Sequence, residues 1–189
     1  MGMSATSPRL WSVEEAHALQ EQDPSRRYEV VDGELLVSPS PRRSHQRAVV
    51  HLLRLLGDFV VSCGVGEVLA SPADLFVEGR TSVQPDVFVI PFVNGRPAAD
   101  AVEIDPILVV EVLSPATARR DRVVKRVLYQ RKHVEYWIVD LDAQLLERWL
   151  PGADRPEVWA EEFLWVPKGL TTPLSIDLPG FFGRVLGPD

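Results

Sequence analysis

Cysteine is nearly absent: the single Cys63 leaves no partner for an internal disulfide and fits a chain kept in a reducing compartment. No run approaches the roughly 18 apolar residues needed to span a bilayer. The opening MGMSATSPRLW lacks a basic stretch followed by an apolar one. The expected location is therefore the cytoplasm, with no membrane as partner. The patterns CxxC, HExxH, GxxxxGK followed by Ser or Thr, and GxSxG are all missing, so zinc, nucleotide-loop and hydrolase-elbow readings have no basis. Positive charge is also short: 20 Lys and Arg against 27 Asp and Glu give −7, which argues against nonspecific coating of nucleic acid. What is present suits a globular chain: 189 residues, 46% hydrophobic, with no internal repeat. The expected organisation is a loose tail over residues 1–10 and a single domain over 11–189.

The net charge hides an asymmetry. Between Arg119 and Lys132 lie seven basic residues and one acid, Asp121, for a local +6 that leaves −13 on the rest. Arg42, Arg43 and Arg47 form a smaller basic group. Charge runs of this kind are as often solvated helix faces as binding surfaces.

Along the chain, Ser12 and Glu15 have capping-box spacing and predict a short helix to about residue 20. Asp32-Gly33 between two apolar runs predicts a hairpin over 28–31 and 34–37. Ala48, Val49, Leu52, Leu53, Leu56 and Val60 recur at helical spacing, and that helix starts near Ser40-Pro41 and ends at Gly64. Short strands are expected at 67–69 and 75–78. A loop with Asn94-Gly95 at its turn fills 91–106. A helix is expected from about 117 to 131 with the apolar stripe Val123, Val124, Val127 and Leu128. Asp121, Lys125 and Tyr129 follow at i, i+4 and i+8 on another face. Strands at 136–139 and 145–150 make a further hairpin. The proline-containing remainder reads as a strand-and-loop wrap closing on Phe181-Phe182.

Two carboxylates stand out against this background. Asp86 heads Val87-Phe88-Val89-Ile90, and Glu111 interrupts Ile107-Leu108-Val109-Val110 and Val112-Leu113. Runs this apolar predict central strands covered on both faces. An uncompensated carboxylate there costs several kcal/mol. It must be neutralised, paired or bound to a metal, and a metal held between neighbouring strands is the expectation.

The ordered set Gln84-Pro85-Asp86, Glu111-Val112-Leu113-Ser114-Pro115, Asp121-x-x-x-Lys125-x-x-x-Tyr129 and Glu135-Tyr136-Trp137-Ile138-Val139-Asp140 resembles the Uma2 (DUF820) family of the PD-(D/E)xK nuclease superfamily. The upstream Tyr28 to Leu35 segment and Ser44-His45-Gln46 resemble it too. The resemblance spans roughly residues 10 to 185. It departs from the superfamily signature in placing Leu113 where lysine follows the second acid, so that Lys125 of the next helix would serve. The glycine usual before the E-Y-W strand is absent, Arg131-Lys132-His133-Val134-Glu135 being one residue short.

This resemblance implies an α/β fold with a restriction-endonuclease-like core, a mixed central sheet flanked by helices, and extra antiparallel strands. It implies a metal-dependent endonuclease acting on DNA, with Mg²⁺ as cofactor and Mn²⁺ able to substitute. Asp86, Glu111 and the Val112 carbonyl would be the metal ligands. Lys125 would act on the attacking water, and Glu34 would be a further acid. Arg119, Arg120, Arg122 and Arg126, with Arg43 and His45, are the candidate nucleic-acid contacts, and a homodimer would suit cleavage of two strands. The alternative is a catalytically inactive nuclease-fold module that binds nucleic acid or a protein partner.

Overall fold

In the computed structural model, residues 9–99 and 104–187 are described; most of the expected tail and part of the 91–106 loop lie outside them. The elements run α1 (Val13–Gln22), β1 (Arg27–Val31), β2 (Glu34–Ser38), α2 (Arg43–Ser62), β3 (Gly66–Ala70), β4 (Leu75–Glu78), β5 (Thr81–Val83), β6 (Val87–Pro91), β7 (Leu108–Val112) and α3 (Ala118–Arg120). A π-helical turn (Asp121–Lys125) follows, then α4 (Arg126–Arg131), β8 (Glu135–Asp140), β9 (Leu145–Trp149), β10 (Glu157–Trp159), β11 (Glu162–Trp165), β12 (Leu174–Asp177) and α5 (Leu178–Leu186). Among the described residues no helix is long and apolar enough to cross a membrane.

Composition gives no sign of a boundary, yet the chain divides into two compact units, Met1–Ser40 with Asp74–Val83 and Pro41–Ala73 with Gln84–Asp189. The division leaves no linker in the sequence because each unit is built from separate stretches of chain. The first unit holds an antiparallel sheet in the order β2-β1-β5-β4. Its Asp32-Gly33 turn has φ of +52° and +85°, the doubly left-handed geometry of a type I′ hairpin. The Ser12–Glu15 capping box forms as the spacing predicts.

The second unit is built on a six-stranded mixed sheet in the order β10-β9-β8-β7-β6-β3. Only β7 and β8 are parallel, and the helical segment between them makes the crossover that a parallel pair needs. One face packs on α2, whose Ala48, Leu52, Leu56 and Val60 meet Val87, Val89, Val110, Val112 and Trp137. Trp137 is fully buried, with Phe163 and Trp165 edge-on at 4.8 and 5.2 Å. Such pairs contribute about 0.5–1.5 kcal/mol each beyond their buried area.

Two of the expected elements differ. The wrap around Phe181-Phe182 is the helix α5: Asp177 caps it by accepting from the Gly180 amide, with proline at its start. Gly180 and Gly183 lower its intrinsic propensity, and its buried face of Leu178, Phe181, Phe182 and Val185 overrides them. The helix over 117–131 is interrupted by the π-helical turn, in which the Arg126 amide donates to the Asp121 carbonyl. Its expected stripe is turned inward only in part. Leu128 is buried and Val124 half-buried, but Val123 and Val127 are exposed, whereas Asp121, Lys125 and Tyr129 are buried. The cause is the charge on the sheet beneath, which draws the polar stripe inward.

The connection into β8 closes through His133, which adopts a left-handed φ of +57°. The Val134 amide bonds the Tyr129 carbonyl, the long closing bond of a Schellman cap whose left-handed position is ordinarily glycine. A side chain there costs roughly 1 kcal/mol. His133→Gly is expected to raise stability by about 0.5–1 kcal/mol, read from urea unfolding; an unchanged or lower midpoint contradicts the cap.

Candidate active site

Glu111 occupies β7 between Val110 and Val112, both of which belong to the α2-facing core. Alternation along the strand therefore turns Glu111 to the opposite face. There its Oε1 accepts from Lys125 Nζ at 2.8 Å and from the Tyr129 hydroxyl at 3.3 Å. Asp121, one turn before Lys125, lies 3.9 Å from the same ammonium. All of these side chains are buried.

Asp86 sits where the β6–β7 ladder ends. Val87 faces Val110 in the last pair of that antiparallel register, and Asp86 precedes it in a bend. Its carboxylate and that of Glu111 both act on the Tyr136 phenol. Asp86 Oδ2 receives the Val112 amide at 2.9 Å and lies 3.0 Å from His45 Nε2. Asp86 is thus tied through backbone to the strand carrying Glu111, and through His45 to the start of α2.

Beneath this group the Tyr129 and Tyr136 rings pack at 4.7 Å, and the Tyr136 hydroxyl donates to the Asp121 carbonyl at 3.3 Å. Burial, then the carboxylates of Asp121 and Glu111, push the Tyr136 phenol well above its ordinary 10.0. It remains a neutral donor at any working pH.

Asp86, Glu111, Val112 and Lys125 are therefore brought together, Val112 meeting Asp86 through its amide. Glu34 belongs to the other compact unit, where it opens β2 as an exposed side chain opposite Val31. The expected basic row falls in different surroundings. Arg119 and Arg43 are exposed and Arg120 is half-buried. Arg122, however, binds Asp140 at 2.8 Å and Glu147 at 2.6 Å. Arg126 lies 4.8 Å above the Trp149 ring and donates to the Arg122 carbonyl. Both are turned towards β8 and β9 by the same helical rotation that buries Lys125. His45 is buried against Asp86, so it is placed in the cluster and not on an outer surface.

Asp121, Tyr129 and Tyr136 were not read as site residues from sequence. The signal for the first two lay in the i, i+4, i+8 series through Lys125. For His45 it lay in helical spacing, since 45, 48, 52, 56 and 60 form one buried stripe.

The donor chemistry is that of a hard-cation site: carboxylates, with no thiolate. Among the described residues no three His, Cys, Asp or Glu side chains group as a metal-holding set. Mg²⁺ keeps several waters and takes only one or two protein carboxylates, so Asp86 and Glu111, linked through the Val112 amide, fit it.

A family model named Uma2, described as "Putative restriction endonuclease", matches residues 13–181. A solved structure, a "putative nuclease belonging to DUF820" from Anabaena variabilis, is similar with a TM-score of 0.69 and 21% identity, over 93% of this chain and 99% of that one. That likeness shows the fold. No curated protein matches.

Two predictions follow from the charges. In EDTA, Lys125→Met leaves Glu111 uncompensated and is expected to cost about 3–5 kcal/mol of unfolding free energy. Adding Glu111→Gln is expected to recover a large part, and additive losses in that cycle contradict the pair. Asp140 resists ionisation through burial, yet the Ala143 amide and the Arg122 guanidinium hold its carboxyl below the usual range. A depressed folded value stabilises above the unfolded value of about 3.9 and is lost as pH falls below it. Asp140→Asn is expected to cost about 1 kcal/mol at pH 7 and progressively less towards pH 3, measured by denaturant unfolding; a gap that widens in acid contradicts this.

Proposed function

The chain belongs to the Uma2 family, and on that premise we propose that it is a metal-dependent endonuclease that hydrolyses DNA phosphodiester bonds at Asp86, Glu111 and Lys125. The observation that carries this reading is the buried Glu111–Lys125 pair at 2.8 Å beside an Asp86 whose carboxylate accepts the amide of Val112, the next residue along β7. A fold alone has no use for such a concentration of charge on a central strand.

Asp86 and Glu111 would hold Mg²⁺, or Mn²⁺ in its place, with the Val112 carbonyl as a third oxygen. The ion, when bound, supplies neutralisation of the phosphoryl charge and acidification of a bound water. The rest of the chemistry belongs to this chain's own groups. Lys125 Nζ orients the attacking water and stabilises charge developing on phosphorus. Tyr129, donating to Glu111, fixes the carboxylate against which that ammonium is set. In the reaction a water oxygen bonds to phosphorus, its proton passes to solvent through the site, and the bond from phosphorus to the leaving sugar oxygen breaks.

Arg119, Arg120 and Arg43 supply cations for the DNA backbone, with affinity falling as salt rises. A homodimer suits cleavage of both strands, and a reducing cytoplasm suits the lone Cys63.

The second reading is an inactive nuclease-fold module. It is favoured by Glu111 being already neutralised by Lys125 and by the lack of a three-ligand group among the described residues. Nicking of supercoiled DNA with Mn²⁺ separates the two. The endonuclease reading expects activity that falls by at least about 100-fold in Asp86→Ala and in Lys125→Ala. Equal activity in wild type and Asp86→Ala, or none in either, leaves the binding module.

A further inference from the structure

We infer that His45 is a positioning residue that fixes the Asp86 carboxylate for cation binding, an inference that rests on the reading above that Asp86 is a ligand. Its ring is carried by the first turn of α2, a 20-residue helix whose following turns are anchored in the core by Ala48, Leu52, Leu56 and Val60. The ring therefore has little freedom to follow the carboxylate; the carboxylate follows the ring.

His45 Nε2 stands 3.0 Å from Asp86 Oδ2, with the two side chains only 9% and 4% exposed. A carboxylate only accepts, so Nε2 carries the hydrogen and donates. The same oxygen takes the Val112 amide at 2.9 Å. One donor would leave the carboxylate able to swing about it. Two donors from different elements, a helix and the strand of Glu111, set its position and its plane together.

The other ring nitrogen supports this assignment. His45 Nδ1 is buried with no hydrogen-bond partner. A ring oriented for its own saturation would turn to satisfy both nitrogens, whereas this one leaves Nδ1 unsatisfied and keeps the bond to Asp86. Nor does its own helix give it an acid, since the first turn of α2 has none. Burial also removes His45 from direct contact with a DNA backbone, so its contribution runs through Asp86.

Hydrogen-bond partners of ligating groups typically govern metal affinity by 10–100-fold when removed. The test is Mn²⁺ affinity of the full chain, with free Mn²⁺ followed by electron paramagnetic resonance. Wild type and Asp86→Asn are compared first, because unchanged binding in Asp86→Asn refutes Asp86 as ligand and removes the ground for this inference. With binding through Asp86 established, His45→Ala is expected to weaken Mn²⁺ by about 10–100-fold. His45→Gln, whose amide reaches about as far as Nε2, is expected to recover most of that loss, and the shorter His45→Asn is not. Metal-free thermal unfolding of each variant identifies any that fails to fold; if His45→Ala does, the Gln and Asn pair decides. Wild-type affinity in His45→Ala, or equal weakness in the Gln and Asn variants, overturns the assignment.

Discussion

The second unit depends on how one charge is accommodated. Glu111 lies in the middle of β7, between strands on both sides and with side chains on both faces, where an uncompensated carboxylate would cost several kcal/mol. Lys125 compensates it at 2.8 Å, and the surrounding architecture follows from bringing that ammonium in. The helix between β7 and β8 turns its polar stripe to the sheet and leaves Val123 and Val127 in solvent. A π-helical turn spans Asp121 to Lys125, where irregular helix geometry often accompanies function. Tyr129, a turn further on, adds its hydroxyl to the same Glu111 oxygen. Replacing buried ion pairs of this kind with well-packed apolar side chains is often neutral or stabilising. Such a set in a core otherwise rich in valine, leucine and tryptophan is the physical argument for chemistry at this place.

Asp86 is accommodated by a different device. It receives a backbone amide from β7 and the ring of a histidine on α2. Glu111 is thus met by an ammonium, and Asp86 by a backbone amide and a histidine ring. A cation shared between them would compete with Lys125 for Glu111. That competition gives the lysine a second use, since an ammonium displaced from the carboxylate stays within reach of whatever binds beside the ion.

Much of this was legible in the chain before any coordinates. Asp86 and Glu111 stood out because near-continuous apolar runs predict strands covered on both faces, where a carboxylate must be compensated, and the D-x-x-x-K-x-x-x-Y spacing already set three side chains on one helical face. Which face turned inward was not legible. Val123, Val124 and Val127 look like a core stripe to any rule that scores hydrophobicity, and only the buried Glu111 decides otherwise. Helix α5 was hidden by Gly180 and Gly183, whose propensity cost is outweighed by the burial of Phe181 and Phe182. The hydrogen bond between His45 and Asp86 spans 41 positions, a separation over which local spacing carries no information. His133 is a further case: its residue type gives no sign of the left-handed backbone it adopts before Val134.

The proposed chemistry requires Asp86 and Glu111 to act on one hard cation. Anomalous diffraction from crystals soaked in Mn²⁺ tests this without reference to substrate or activity. The expected result is a peak about 2.1 Å from a carboxylate oxygen of each residue. A fully soaked crystal with no peak between them, or with manganese held only by other side chains, contradicts it.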